Sequence, residues 1–250
     1  MSDSIILYHY WSSTCSQKAR FALEEKGVPW ASRHLDLFKF EHWEDDYVSI
    51  NPDGMVPTLV DGDTVITDSN IMLEYLDERS SASRLSPDSA AQRAVMRHWM
   101  KLADSAQKSV IKIGYNLRIK PRMGHFSHEQ LQEIGRRNPN SEFRRSWFRK
   151  LEQGVSQAEI DHSYAQLELL VDRIEQTVSR VPWLAGDTFS LADIALSPYL
   201  KRIEVLERPE MLDGSRRPHL ASWWHMLQQR PAFVEAYSFP NPNPADPIPA

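Results

Sequence analysis

Cysteine is almost missing from this chain: a single residue, Cys15, in 250. An internal disulfide is therefore excluded, and a reducing compartment fits. Also missing is any run of about 18 apolar residues, so no membrane-spanning helix is expected. No positively charged and then apolar leader opens the sequence, and the expected location is the cytoplasm. Neither sign of charge dominates. The 29 Lys and Arg against 34 Asp and Glu leave a net charge of −5, which argues against a nucleic-acid surface. No phosphate loop, zinc-type spacing or hydrolase elbow occurs, and the nine histidines form no paired ligand pattern, so no metal is expected. What is present, 41% hydrophobic and 25% charged residues, suits a globular chain with room for one large domain or two small ones.

The first 79 residues mix strands with helices. Ile5 to Tyr10 reads as a buried strand and Pro29 to Leu35 contains a second. Between them Gln17 to Lys26 reads as a helix, with Ala19, Ala22 and Leu23 on one face and Gly27 as its stop. Val56 to Val60 and Thr64 to Thr67 flank Asp61-Gly62-Asp63, the pattern of a hairpin. Asp68 and Ser69 then suit the cap of a helix whose apolar face is Ile71, Met72, Tyr75 and Leu76.

A serine-rich, proline-ended stretch, residues 80–88, is expected to be a linker. Beyond it, residues 89–238 show helices alone. Arg93 to Ile113 is long, with Trp99 and Leu102 on one side. Ile160, Tyr164, Leu167, Val171, Ile174 and Val178 recur at helical steps. Ser190-Leu-Ala-Asp193 is a capping-box variant with Phe189 placed as a staple, and His219 to Gln229 is a further helix. Arg136, Arg137, Arg144, Arg145, Arg149 and Lys150, with Phe143, Trp147 and Phe148 between them, read as a solvated helix packing its aromatics on the body, the alternative being a site for an anionic partner or substrate. Residues 239–250 are proline-rich and expected to be extended. The fold class is therefore a small α/β domain, 1–79, followed by an all-α domain.

The segment Tyr8 to Gly27 carries the most chemistry. A strand runs into a turn of Ser12, Ser13 and Thr14, and the turn into a helix beginning beside Cys15. A helix N-terminus offers unpaired N–H groups and partial positive charge. Small hydroxyls there can donate to an anion, and a thiolate is such an anion. The turn suits either its own cysteine or a bound thiol.

In this order and spacing, YHYWSSTCSQKARFAL at the first turn, Asn51-Pro-Asp-Gly-Met-Val-Pro57, Asp68-Ser69, Trp183 to Leu196 and Arg230-Pro-Ala-Phe233 resemble the cytosolic glutathione transferases over nearly the whole chain. The resemblance implies a thioredoxin-like domain followed by a helical one, with glutathione as co-substrate. The first turn is most similar to the zeta class and the tetrachlorohydroquinone dehalogenases, matched by Ser13, Thr14 and Cys15. The layout, with a long insertion at about 115–154, also resembles the bacterial beta-etherases. Gln17 and Lys18 stand where the zeta pattern has Trp-Arg, which counts against maleylacetoacetate isomerisation.

The resemblance implies site residues. Ser13 is expected to stabilise the glutathione thiolate, with Ser12 and Thr14 as rivals and a plain helix cap as the bland alternative. Cys15 is expected either to accept a mixed disulfide or to be a small buried residue. Met55, Val56 and Pro57, the last a cis-proline, are expected to present backbone to the cysteinyl part of glutathione. Asp68 and Ser69 would receive its γ-glutamyl end. Gln17, Lys39 and His42 are candidates for its glycine carboxylate. Tyr10, Trp11, Trp99 and Tyr115 are candidates for stacking a substrate, or for core.

The activity so implied is transfer of the glutathione thiolate to a hydrophobic aromatic electrophile, such as an aryl ether, in a homodimer. The alternatives are reductive dehalogenation through Cys15, glutathione-dependent isomerisation, and a non-catalytic interaction protein on the same fold.

Overall fold

The computed structural model describes residues 5–80, 82, 84–206 and 208–242. Residues 81 and 83 of the expected linker and 243–250 of the expected tail lie outside the described residues.

The N-terminal half is built on a four-stranded sheet ordered β2-β1-β3-β4, from β1 (Ile5–His9), β2 (Trp30–His34), β3 (Thr58–Asp61) and β4 (Thr64–Ile66). β1 pairs parallel with β2, Leu7 opposite Ser32, and antiparallel with β3, Leu7 opposite Leu59. The parallel pair requires a crossover, which α1 (Thr14–Glu25) supplies. The helix ends where Gly27 takes a positive φ of 58°, a conformation that costs glycine least. Ile5, Leu7 and His9 point inward from β1, so alternation along the strand sends its odd residues to the core.

A 3-10 turn (Glu41–Trp43) and short α2 (Asp45–Val48) connect β2 to β3, and α3 (Ser69–Arg79) follows β4. The sequence expectation for α3 needs one correction: Ile71 is 61% exposed, and the buried face is Met72, Leu73 and Leu76. Asp68 caps α3 by accepting from the N–H groups of Asn70 and Ile71 at 2.8 and 2.9 Å. A buried ion pair, Lys26 Nζ to Asp77 Oδ1 at 2.9 Å, ties the end of α1 to α3. The same carboxylate accepts from the backbone of Leu85 and Ser86, which fixes the start of the second half.

That half contains α4 (Ala90–Gly114), α8 (Gln157–Val178), α9 (Leu191–Glu204), α10 (Pro218–Gln228) and α11 (Pro231–Tyr237). Leu167, Val171 and Ile174 of α8 are fully buried, as the helical spacing predicts. The capping box at Ser190 and Asp193 forms. Asp193 also accepts from Leu184 N–H and Trp223 Nε1, at 3.1 and 2.9 Å, so one carboxylate pins α9, α10 and the preceding loop.

Between α4 and α8 the chain makes a π-helical turn (Tyr115–Ile119), then α5 (Lys120–Arg122), α6 (His128–Arg137) and α7 (Ser141–Gln153). These pieces have their own core of Phe40, Trp43, Tyr115, Met123, Leu131, Trp147 and Val155. Gly135 makes it possible, because a Cβ there would lie 2.6 Å from the Trp147 indole. Phe40 and Trp43 belong to the first half, so this satellite core clamps the insertion onto the α/β domain.

Candidate active site

A cavity of about 310 Å³ lies where the β1–α1 turn, the Glu41–Trp43 region, the Met55-Val56 segment and the inserted helices meet. That volume is at the lower end for a small-molecule site. Ser12, Ser13 and Thr14 line it at the start of α1. Ser13 is the N-cap: its Oγ accepts from Ser16 N–H at 3.3 Å, and its own N–H donates to Tyr10 O at 3.1 Å. Its hydroxyl proton is not used in that cap and is available to donate to an anion in the cavity.

Cys15 lies elsewhere. It is buried, it is outside the cavity lining, and its Sγ sits 4.0 Å from Tyr199 Oη on α9. One step along a helix turns a side chain by about 100°, so Thr14 faces the cavity while Cys15 faces the helical half.

Met55 and Val56 line the cavity, and the Val56-Pro57 bond is cis. The loop is braced from behind. Tyr47 Oη donates to Met55 O, and Asn51 Nδ2 donates to the same carbonyl at 2.9 Å. Both side chains also reach Thr58 Oγ1, at 2.7 and 2.9 Å. Sequence reasoning missed Tyr47 and undervalued Asn51. The only available sign was the Asn-Pro pair at the head of the loop.

Asp68 and Ser69 lie at the start of α3, outside the cavity lining. Ser69 Oγ accepts from Lys18 Nζ at 3.2 Å, and Asn70 Oδ1 accepts from it at 2.8 Å. Lys18 is fully buried. Burial pulls its ammonium pKa below the usual lysine value, against the opposing fields of Cys15, Asp104 and Asp68. It joins α1, which carries the serine turn, to the α3 N-terminus, a link that sequence alone did not show.

His42 lines the cavity, is 8% exposed, and has an Nδ1 without a hydrogen-bond partner among the described residues. Burial pulls its pKa down to about 3, so the ring is neutral, and Nδ1 is a donor or acceptor by tautomer. Gln17 is buried outside the lining, and Lys39 is a solvent-facing side chain paired with Asp36.

Of the expected aromatic residues, Tyr10 and Tyr115 line the cavity, while the structure places Trp11 and Trp99 among the buried residues outside it. Phe38, Phe40, Trp43, Phe143 and Trp147 also line it. The aromatics of the insertion were expected to pack on the body, and they do, but they also form a cavity wall.

Four charged residues stand in the lining: Arg118, Arg122 and Arg202, not foreseen as site residues, and Lys150, from the basic cluster whose alternative reading is an anion site. Arg202 Nη2 donates to Ser12 O at 2.6 Å, holding the serine turn from α9. Arg122 reaches Tyr10 Oη at 3.4 Å and stacks its guanidinium 3.6 Å from the Phe38 ring centre. Burial and the neighbouring Arg118 pull the Arg202 pKa down to about 9. The four come from three regions far apart in sequence, and only Lys150 belongs to a basic run visible in the sequence.

Models of the glutathione S-transferase N-terminal and C-terminal domains match residues 12–79 and 157–223. The chain is 31% identical to a tetrachloro-p-hydroquinone reductive dehalogenase of Sphingobium chlorophenolicum, over 95% of this chain and 97% of that one. It is 30% identical to protein LigF of Sphingobium sp. strain SYK-6, over 92% of each. The crystal structure of the beta-etherase LigF superposes with a TM-score of 0.86 at 29% identity, over 94% of this chain and 99% of that one.

Proposed function

The chain belongs to the glutathione S-transferase family, whose co-substrate is glutathione, and we propose that it transfers the glutathione thiolate to a hydrophobic aromatic electrophile, such as an aryl ether. The observation that carries this reading is the opening of the Ser12-Ser13-Thr14 turn onto an aromatic-walled cavity. A thiol of pKa about 8.5 is only a few per cent ionised at neutral pH. A hydroxyl donor and the positive end of α1 raise that fraction. Glutathione would lie along Val56, with its γ-glutamyl end at Asp68-Ser69 and its glycine end toward His42. The sulfur attacks the electrophilic carbon, a C–S bond forms, and the leaving group departs with its bonding pair. The thiol proton goes to solvent. Positioning and anion stabilisation supply the rate.

The burial of Cys15 against Tyr199 supports direct displacement over a route in which that cysteine takes glutathione from an intermediate. Homodimerisation, common in this family, is part of the same proposal.

Calorimetry of glutathione binding to wild type and Ser13→Ala, with the bound thiol's absorbance followed against pH, tests it. The expected result is binding to both, with a thiolate pKa that rises in the variant. An unchanged thiolate pKa would move the activating role to Ser12, Thr14 or the backbone. Absence of binding would overturn the reading in favour of an interaction protein on the same fold.

A further inference from the structure

We propose that Lys18 is a positioning residue for glutathione: its ammonium, acting from inside the protein through Ser69 and Asn70, supplies the positive charge that holds the α-carboxylate of the γ-glutamyl end. This rests on the glutathione reading above and deepens it.

Two lysines are buried among the described residues, Lys18 in α1 and Lys26 at its C-cap. Lysine is almost never fully buried unless it is paired. Lys26 meets that rule through Asp77 Oδ1 at 2.9 Å. Lys18 meets it differently. Its Nζ donates to Asn70 Oδ1 at 2.8 Å and to Ser69 Oγ at 3.2 Å, and both acceptors are neutral. Asp68 and Asp104 act on it as fields, without an ion pair among the described residues. The hydrogen bonds satisfy ammonium donors, but they bring no opposite charge into contact with the cation. Burial accordingly holds its pKa below the usual lysine value. An anion close by relieves that cost.

The two acceptors are consecutive residues at the start of α3, where the γ-glutamyl end is placed. Ser69 Oγ accepts from Lys18, so its own proton is directed away from the ammonium, and it has no acceptor among the described residues. With Nζ 3.2 Å from Ser69 Oγ, a carboxylate oxygen accepting that proton at about 2.7 Å stands within about 6 Å of the ammonium. At that separation an opposite charge favours the ionised form of both groups. The ammonium also polarises the Ser69 hydroxyl, which strengthens it as a donor. Asn70 is fixed from the other side. Its Nδ2 donates to Asp104 Oδ1 at 2.9 Å and to Met100 O at 3.1 Å, which turns its Oδ1 to Lys18. The Tyr199 ring centre, 5.8 Å from Nζ, closes the α9 side. Three helices thus hold one buried cation behind Ser69. Asp68, exposed one residue earlier, suits the amino group of the same γ-glutamyl end.

The test is calorimetry of the full-length protein with glutathione and with γ-aminobutyryl-cysteinylglycine, which keeps the thiol, the amine and the glycine end and lacks only the α-carboxylate. Wild type is expected to bind glutathione about tenfold or more tightly than the analogue, the range of one charge-assisted contact. Lys18→Gln keeps a donor for Ser69 or Asn70 and removes the charge. It is expected to weaken glutathione about tenfold and to leave the analogue within about twofold of wild type. Lys18→Met, an apolar replacement of similar length, is expected to do the same, and urea unfolding checks that each variant is folded. A role in packing alone would weaken both ligands equally. That result, equal affinities in the wild type, or a gap that survives in either folded variant would overturn the inference. If glutathione does not bind the wild type, the transferase reading fails instead.

Discussion

Arg202 of α9 donates to the carbonyl of Ser12 at 2.6 Å, across 190 residues of sequence. This one bond makes the geometry of the serine turn depend on the helical half. Arg202→Met removes it and leaves a buried carbonyl without that donor. Stability is expected to fall by about 2 kcal/mol, read as a lower urea midpoint with unchanged slope. Activity with an aromatic acceptor should fall through kcat more than through the KM for glutathione, because the turn bears on the thiolate rather than on capture.

Ser13 caps α1 and, in the proposed mechanism, donates to the thiolate, and substitution separates the two. As N-cap it accepts from Ser16 N–H at 3.3 Å. Ser13→Ala should lose about 1 kcal/mol of stability together with activity. Ser13→Asn keeps a capping oxygen and should fold nearly as well as wild type, yet show a thiolate pKa as high as the alanine variant. Recovery of a low thiolate pKa in Ser13→Asn would show that the hydroxyl is not required.

Cys15 is expected to be dispensable for displacement. Its sulfur faces Tyr199, outside the cavity lining. Cys15→Ser should keep wild-type kcat within about threefold, and native protein should be alkylated by iodoacetamide slowly, as a buried thiol is. Loss of turnover without loss of stability would instead support a mixed-disulfide step.

Tyr47 supports the Met55-Val56 loop without lining the cavity. Tyr47→Phe leaves Asn51 as the remaining side-chain donor to Met55 O. It should destabilise by about 1–2 kcal/mol and raise the KM for glutathione with kcat little changed. Steady-state kinetics with glutathione varied would separate this from a general loss of active protein.

Acid sensitivity should come from two histidines. Burial, reinforced by the charges of Arg20 and His34, pulls His9 down to about 3, and burial pulls His42 to about the same value. In the unfolded chain both accept protons near 6.5. Unfolding therefore takes up protons between these values, and stability falls as pH is lowered through that window. Each histidine contributes a slope of about 1.4 kcal/mol per pH unit. Asp193 acts in the opposite sense: burial pushes its carboxyl up to about 6, so the folded state holds a proton that the unfolded state lacks below that pH. Between about pH 6 and 4 these terms leave a net slope near one proton. His42→Phe, compared with wild type by urea unfolding at several pH values, should flatten the curve by about one proton.

Much of the domain order and element layout could be read from local pattern. Gly27, the Asp61-Gly62-Asp63 turn and the Ser190/Asp193 box act over a few residues, and α8 shows its buried face at three- and four-residue steps. The serine turn was visible for the same reason: strand, hydroxyls and helix start are contiguous. What only the tertiary structure decided is the facing of side chains whose partners are distant. Ile71 fits an apolar helical stripe, yet it is exposed because α1, with α9 and β4, packs against the Met72, Leu73 and Leu76 face of α3. Trp99 is core where Tyr115 is cavity, because α4 reaches the cavity only from Gln107 onward. Lys18 and Arg202 have no sequence mark, because their partners lie 51 and 190 residues away. Hydrogen bonds within a turn or cap are fixed by local geometry, whereas the charge and shape of a cavity between domains arise only when separate segments converge. The single cysteine and the serine turn were therefore decided by sequence, and the cationic, aromatic walls facing that turn by the fold.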